Sequence, residues 1–295
     1  MKVLVAGASG FIGTELTRQL ESDGHTVLKL VRRAPQAADE FLWSPHDGTV
    51  DADAIEQADA VVNLAGASTG RIPWTTAYKR EILYSRVDGT RTLAEAIERA
   101  SRAPEVFLSG SAVGYFGDQP GVTLTESSPK GTGFLSDVVE AWEIAAGLTP
   151  PTTRVVAFRT GLVVGEGGAF TPLLPLTRFG LGARMGSGTQ HWPWVALHDE
   201  VAAIVHLLTS SLTGVVNIAG PTPATSGEIT HSLARALGRW DPWVVPTVAI
   251  ELLGDAGRDL LLASQKVTPE RLLGDGFVFR YETADAAIEA LASSL

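Results

Sequence analysis

The chain has 295 residues, a net charge of −10 and no cysteine. That length can bury a sizeable core in one large domain, with or without a smaller appended one. Lacking cysteine, the chain has no disulfides, thiolate metal sites or cysteine nucleophiles, and its acid surplus argues against nucleic-acid backbone binding as the main activity.

Val3-Leu4-Val5-Ala6 reads as a buried strand. Ile12, Leu16 and Leu20 then repeat at helical spacing up to Asp23, with Gly24 as a C-cap. Thr26–Val31 is a second strand, Glu40–Trp43 a short third and Asp59–Leu64 a fourth. Residues 75–102 hold a helical pattern long enough to bend or break. Glu105–Ser109 and Arg154–Arg159 are the fifth and sixth strands. Strands separated by helices imply βαβ units and a doubly wound parallel sheet. From Gly165 to Gly188 glycine and proline dominate, which predicts loops and short helices over a cleft. Gly214–Ala219 is another strand. Residues 228–295 read as mostly helical, with Phe277–Arg280 as a late short strand. No run approaches 18 uninterrupted apolar residues and no secretory leader is recognisable, so the expectation is a cytoplasmic protein.

Gly7-Ala-Ser-Gly10-Phe-Ile-Gly13 follows the first strand directly and opens a helix. That context gives a three-glycine pattern its weight. Gly7 lets the chain leave the strand sharply, Gly10 keeps a side chain away from an approaching pyrophosphate, and Gly13 permits close helix–sheet packing. The helix start offers amide N–H groups to phosphate, which makes Ser9, Phe11 and Ile12 candidate cofactor contacts along with the three glycines. The second strand ends Val31-Arg32-Arg33, where a dinucleotide lacking the 2′-phosphate would call for a carboxylate. Two guanidiniums there suit a 2′-phosphate, so NADP(H) is favoured over NAD(H).

With these features the chain resembles the atypical or extended short-chain dehydrogenase/reductases, the NAD(P)-dependent epimerase/dehydratase family. Asn63-Leu64-Ala65-Gly66 resembles that family's fourth-strand motif beside the cofactor, Ser109-Gly-Ser111 its fifth-strand serines, and Arg159-Thr160-Gly161 the segment bordering the nicotinamide. Trp43-Ser-Pro, Arg71-Ile-Pro-Trp74, Ser85-Arg86, Tyr115-Phe-Gly117-Asp118, Trp142-Glu143 and Ser264-Gln-Lys-Val-Thr-Pro narrow the resemblance. They match a subfamily of nucleoside-diphosphate-sugar epimerases by label, with a C-terminal domain of unknown function. The implied fold is a Rossmann-like α/β sheet. Residues 1–164 are the expected NADP-binding domain, with later strands from about 195–220, and 165–295 the substrate-side region with a smaller, mostly helical C-terminal part.

The resemblance also implies a Tyr with a Lys four residues on, the Lys lowering the phenol's pKa. Only four tyrosines occur, Tyr78, Tyr84, Tyr115 and Tyr281, and none has such a Lys. The expected positions hold Phe134 and Val138. Phe cannot donate a proton. Asp137 is either a buried acid or an ordinary solvated helix residue. Ser111 either orients a substrate oxygen or satisfies local backbone. Tyr115, between Gly114 and Gly117, is the best-placed remaining phenol, and a packed aromatic role suits it equally. Ser111 and Tyr115 are the candidate catalytic pair.

Trp192, Trp194, His191 and His198 are either a stacking surface or core. Only Asp199 keeps a pair of acids that the resemblance implies, since His198 stands at the first position and Ala196 at an implied His. Arg71, Lys79 and Arg86 either hold an anionic substrate group or are surface charge. The histidines show no ligand spacing, so no metal is expected. The reading is an NAD(P)-dependent epimerase or oxidoreductase moving hydride at a carbonyl or hydroxyl carbon of a small molecule such as a nucleotide sugar. It is expected as a monomer or homodimer, without nucleic-acid or membrane partners. The alternative is a non-catalytic NADPH-binding redox sensor.

Overall fold

The structure, a computed structural model, describes residues 1–295. Eight strands form one sheet: β1 (Lys2–Ala6), β2 (Thr26–Val31), β3 (Glu40–Ser44), β4 (Thr49–Val50), β5 (Ala60–Asn63), β6 (Val106–Ala112), β7 (Arg154–Thr160) and β8 (Gly214–Ile218). Their spatial order is β8-β7-β6-β5-β1-β2-β3-β4. All neighbours are parallel except β3 and β4, which pair antiparallel. The chain runs outward from β1 in one direction and outward from β5 in the other. The strand order therefore reverses between β1 and β5, the point where such sheets bind ligands at their carboxyl ends.

Strand β1 shows why this sheet needs helices on both faces. Val3 and Val5 point into one apolar cluster, Leu4 and Ala6 into another, and all four are fully buried. The first cluster takes Leu16 and Leu20 from α1 (Phe11–Ser22) and Val201, Ile204 and Leu207 from α6 (Leu197–Thr209). The second takes Ile55 from α2 (Ala52–Gln57), Leu93 and Ile97 from α3 (Thr76–Arg99) and Ala146 from α4 (Phe134–Ala146). A strand buried on both faces reads as an unbroken apolar run, as β1 does.

A third cluster lies beside the sheet. The short pair Leu162–Val164 and Trp194–Ala196 is covered by α5 (Phe170–Arg178), α7 (Ser226–Ala236) and α8 (Ala284–Ser293). Trp192 and Trp194 are 4% and 1% exposed within it, so they are core and not a stacking surface. Within residues 75–102 one unbroken helix runs Thr76–Arg99, capped by the Thr75 hydroxyl, which accepts from the Tyr78 amide; the chain leaves it at Ala100. Nothing interrupts α3, because no proline follows its first turn and its buried face repeats at helical spacing. No helix is long and apolar enough to cross a membrane.

Phe277–Arg280 is not a strand. Phe277 and Phe279 are buried and Val278 is 85% exposed, so the chain is extended with alternating sides. No neighbouring strand pairs with it. The Asp199 carboxylate instead accepts the amides of Arg280 at 2.9 Å and Tyr281 at 3.1 Å. A side chain takes the place of a ladder, which a period-two pattern alone cannot distinguish. The C-terminal third also holds a short strand, Trp243–Val245, paired with Ala183–Met185, where the mostly helical reading placed its only strand at Phe277–Arg280.

One buried acid makes the fold pH-sensitive. Glu200 is fully buried on α6, and its carboxyl accepts from the Thr160 hydroxyl at 2.6 Å. Burial pushes its pKa up to about 8. From the ordinary 4.5 up to about 8, the native state holds a proton that the unfolded state has released. Stability therefore falls as pH rises through that window. Replacing Glu200 with Gln is expected to flatten the slope, so the gain in Tm over wild type grows from about pH 5 to about pH 8. Thermal melts giving an equal effect at both pH values would count against this.

Candidate functional site

The carboxyl edge of the sheet is built first by glycine. Gly7 has φ +84°, and a Cβ there would sit 2.9 Å from the Leu64 carbonyl carbon. A Cβ on Gly13 would meet the Gly7 carbonyl oxygen at 2.1 Å. These positions let the loop after β1 lie directly against the wall Leu64-Ala65-Gly66 that follows β5. Helix α1 starts at Phe11 with no side-chain cap on its N-terminus, so the first amides, including those of Phe11 and Ile12, are left to another acceptor. Gly10 and Ser9 are exposed at this point. The residues present fit a dinucleotide's pyrophosphate: an uncapped helix start, no side chain on Gly10, and a close-packed wall opposite.

Asn63 shapes that wall from within. It is fully buried; its Nδ2 donates to Thr90 Oγ1 at 2.9 Å and its Oδ1 accepts from the Ala65 amide at 3.1 Å. Thr90 Oγ1 also accepts from Trp142 Nε1 at 2.8 Å. Ser109 is likewise buried, with its hydroxyl turned to the Gly110 carbonyl. Both side chains act through the backbone they hold. The two arginines at the end of β2 differ sharply. Arg33 forms a two-toothed pair with Glu40, at 2.6 and 2.8 Å, and the guanidinium holds that carboxyl down at about 2. Arg32 is exposed and makes no hydrogen bond or ion pair within the chain, so only its guanidinium is uncommitted.

At the ends of β6 and β7 the structure brings together four residues from three separate stretches of the chain. Glu143 on α4 accepts from Arg159 Nε and Nη2, both at 2.8 Å, and from the Ser111 hydroxyl at 2.6 Å. The Arg159 guanidinium lies 3.4 Å from the Tyr115 ring centroid and 5.0 Å from that of Phe116. Ser111 and Arg159 are 3% and 2% exposed. Charge-assisted, two-toothed geometry of this kind fixes orientation strongly. Ser111 spends its proton on Glu143, so its oxygen is left to accept. The Tyr115 hydroxyl makes no hydrogen bond within the chain and Tyr115 is half-buried. Thr160 donates to Glu200, and the Gly161 amide to the Ile218 carbonyl at 2.9 Å.

Phe134 and Val138 have been drawn into packing. The Phe134 ring stands edge-on to Trp74 at 5.5 Å, and Lys79 Nζ lies 5.0 Å from its centroid. Val138 packs with Tyr78, Ile82 and Ala256 in the same cluster. Lys79 is ion-paired with Asp255, and Arg71 lies over the Tyr78 ring at 4.9 Å. Asp137 is exposed and paired with Lys130 at 2.7 Å, the solvated role.

A cleft of about 410 Å³ is lined by Gly114 and Gly117, the glycines that flank Tyr115-Phe116. Gly114, Asp118 and Ser136 line one side, and Arg258, Asp259 and Gln265 the other. Asp259 lies in the single π turn Arg258–Leu262 and accepts the Leu135 amide at 3.1 Å. Burial raises its pKa above the ordinary carboxylate value. Nothing in its local sequence marks Asp259; only the fold carries it to the start of α4. Glu143 belonged to a recognisable Trp-Glu pattern, but its bond to Ser111 was not legible there.

Comparison with known proteins matches this geometry to a family. The model described as NAD dependent epimerase/dehydratase family matches residues 3–219, and a domain of unknown function, DUF1731, matches residues 245–291. An epimerase family protein of Mycobacterium leprae is 38% identical over 293 residues, covering 97% of this chain and 94% of that one. Human epimerase family protein SDR39U1 is 36% identical over 299 residues, covering 99% of both. The crystal structure of human SDR39U1 (isoform 2) with NADPH superposes with a TM-score of 0.91 over 100% of both chains at 34% identity. A nucleoside-diphosphate sugar epimerase from Corynebacterium glutamicum gives 0.80 at 30% identity, over 99% of this chain and 58% of that one. Rossmann-like fold, glycine loop and family matches agree: the chain belongs to the NAD-dependent epimerase/dehydratase family.

Proposed function

We propose that this protein binds NADP(H) and exchanges hydride with a carbonyl or hydroxyl carbon of a small polar substrate, with a nucleotide sugar as the favoured class. The observation that carries this is the buried Ser111–Glu143–Arg159 set with the Tyr115 phenol stacked on it, next in the chain to Gly114, which lines the 410 Å³ cleft. The bound cofactor supplies or accepts the hydride. The glycine loop and the start of α1 hold its pyrophosphate, Arg32 its 2′-phosphate, and the Leu64–Gly66 wall its ribose side. Residues 165–295 supply the substrate side, through the turn carrying Arg258 and Asp259. The nucleoside-diphosphate sugar epimerase name of one solved relative supports the substrate class, and the NADPH in the human relative's structure supports the cofactor.

Proton handling falls to Ser111 and Tyr115 in this reading. Ser111 Oγ, its proton held by Glu143, accepts a hydrogen bond from a substrate hydroxyl and fixes that oxygen. Tyr115 carries the mobile proton, since its hydroxyl has no partner within the chain. A second reading is a dinucleotide sensor without turnover. It is favoured by one observation, the commitment of Phe134 and Val138 to packing where the usual acid and its lysine would stand.

Two measurements test this. Arg32→Gln is expected to weaken NADPH binding about tenfold, the worth of one charge-assisted contact, and to leave NADH unchanged, while Arg33→Gln has the smaller effect because Glu40 already occupies it. Equal losses in both variants, or an NADH preference in the wild type, would refute the assignment. Turnover followed at 340 nm over carbonyl compounds and nucleotide sugars is expected to fall about a hundredfold in Tyr115→Phe, the scale of a lost general acid. Tight NADPH binding with no turnover on any substrate would establish the sensor instead.

A further inference from the structure

Besides the exposed Arg32, one half-buried charge at the carboxyl edge is left unbalanced. Arg159 is neutralised by Glu143. Arg86 on α3 is not: its only side-chain hydrogen bond runs to the Ile82 carbonyl of its own helix, at 3.1 Å. Its guanidinium lies 5.2 Å from the Trp142 ring centroid. It also presses on Gly66, where a Cβ would come 3.2 Å from Cζ. Burial lowers its pKa to about 10, which leaves it charged at neutral pH. A guanidinium carries five N–H donors, and the chain fills one of them. Elsewhere the buried Arg159 meets a carboxylate and Arg154 donates to the carbonyls of Leu207, Leu208 and Leu212. Arg86 is half-buried, so its open donors are available to a ligand at this edge.

Its position says which part of a ligand. Gly66 ends the wall whose first residues touch Gly7. Trp142 lies against Gly110 on β6, where a Cβ would come 3.2 Å from the indole, and the next residue is Glu143. Arg86 therefore stands over the ends of β5 and β6, between the glycine loop and the Ser111–Glu143–Arg159 set. A dinucleotide with its adenosine over β2 and its pyrophosphate at the glycine loop lays its nicotinamide half across this point.

The oxidised nicotinamide ring carries a positive charge and the reduced ring is neutral. A fixed, half-buried cation repels the first and not the second. We infer that Arg86 makes the site select the redox state of its cofactor, binding NADPH more tightly than NADP⁺. The inference rests on the NADP(H) reading above and goes beyond it. The same charge attracts the oxyanion that forms when hydride moves onto a carbonyl, so it favours the reducing direction, and in a sensor it would be the element that reads the redox state.

Calorimetric titrations with NADPH, NADP⁺ and 2′,5′-ADP test it on wild type, Arg86→Gln and Arg86→Lys. The 2′,5′-ADP probe carries the 2′-phosphate and lacks the nicotinamide half. Wild type is expected to bind NADPH about tenfold more tightly than NADP⁺, the scale of one partly screened charge pair. Arg86→Gln is expected to bring that ratio close to one with 2′,5′-ADP affinity unchanged, and Arg86→Lys to keep the preference. A ratio unaltered by Arg86→Gln, or a wild type that binds NADP⁺ as tightly, overturns the inference. So does loss of 2′,5′-ADP binding in Arg86→Gln, which would assign Arg86 to the fold or to the adenosine half. Failure of wild type to bind 2′,5′-ADP at all overturns the cofactor reading itself.

Discussion

The rest of the molecule depends on the contact between Gly7 and the backbone of Leu64 and Ala65. Any side chain at Gly7 would drive a carbon to within 2.9 Å of that backbone. The contact is possible only where strand order reverses, because there β1 and β5 are adjacent and their following loops leave in different directions. It fixes how close the start of α1 comes to the Asn63–Gly66 wall. Asn63 in turn is tied through Thr90 to Trp142, so the same contact sets where α3 and α4 present Arg86 and Glu143. Loop, wall and charged set are joined by these contacts into one connected piece of structure at the carboxyl edge.

Against that frame the departures from the family pattern have physical causes. Phe134 and Val138 gain an apolar cluster with Trp74, Tyr78 and Ile82, closed by Ala256 and Leu260 from the C-terminal region. A phenol and an ammonium at these two positions would have to be buried there with partners the cluster does not offer. The stretch Gly131–Glu143 thus keeps its scaffold role at one end and gains Glu143 as an anchor for Ser111 and Arg159 at the other. Chemistry at this edge is left with an uncommitted phenol, a raised carboxyl at Asp259 and an unpaired guanidinium at Arg86.

Much of the fold was legible because parallel strands buried on both faces leave continuous apolar runs. The strands that begin at Lys2, Ala60, Val106, Arg154 and Gly214 carry such a run, while Lys29, paired with Asp39, interrupts the one that begins at Thr26. The late Phe277–Arg280 segment did not, since alternation reports an extended chain and says nothing of what satisfies its amides. Asp199, which does so, lies 81 residues before Arg280. The glycine loop was legible from spacing and context. The inequality of Arg32 and Arg33 was not, because it depends on Glu40 reaching back from β3 to claim one of them.

The sequence by itself determined the doubly wound sheet, the placement of a three-glycine loop after its first strand, and the absence of any Tyr-x-x-x-Lys pair. These follow from local properties: apolar periodicity, glycine where a Cβ would collide, and residue identity. Only the tertiary structure decided which polar groups are free to act. Ser111, Arg33, Arg159 and Asp137 are each committed to a partner, while Arg32, Tyr115 and Arg86 are not. Commitment depends on distances between residues remote along the chain, and a buried charge takes its meaning from the partner it has or lacks.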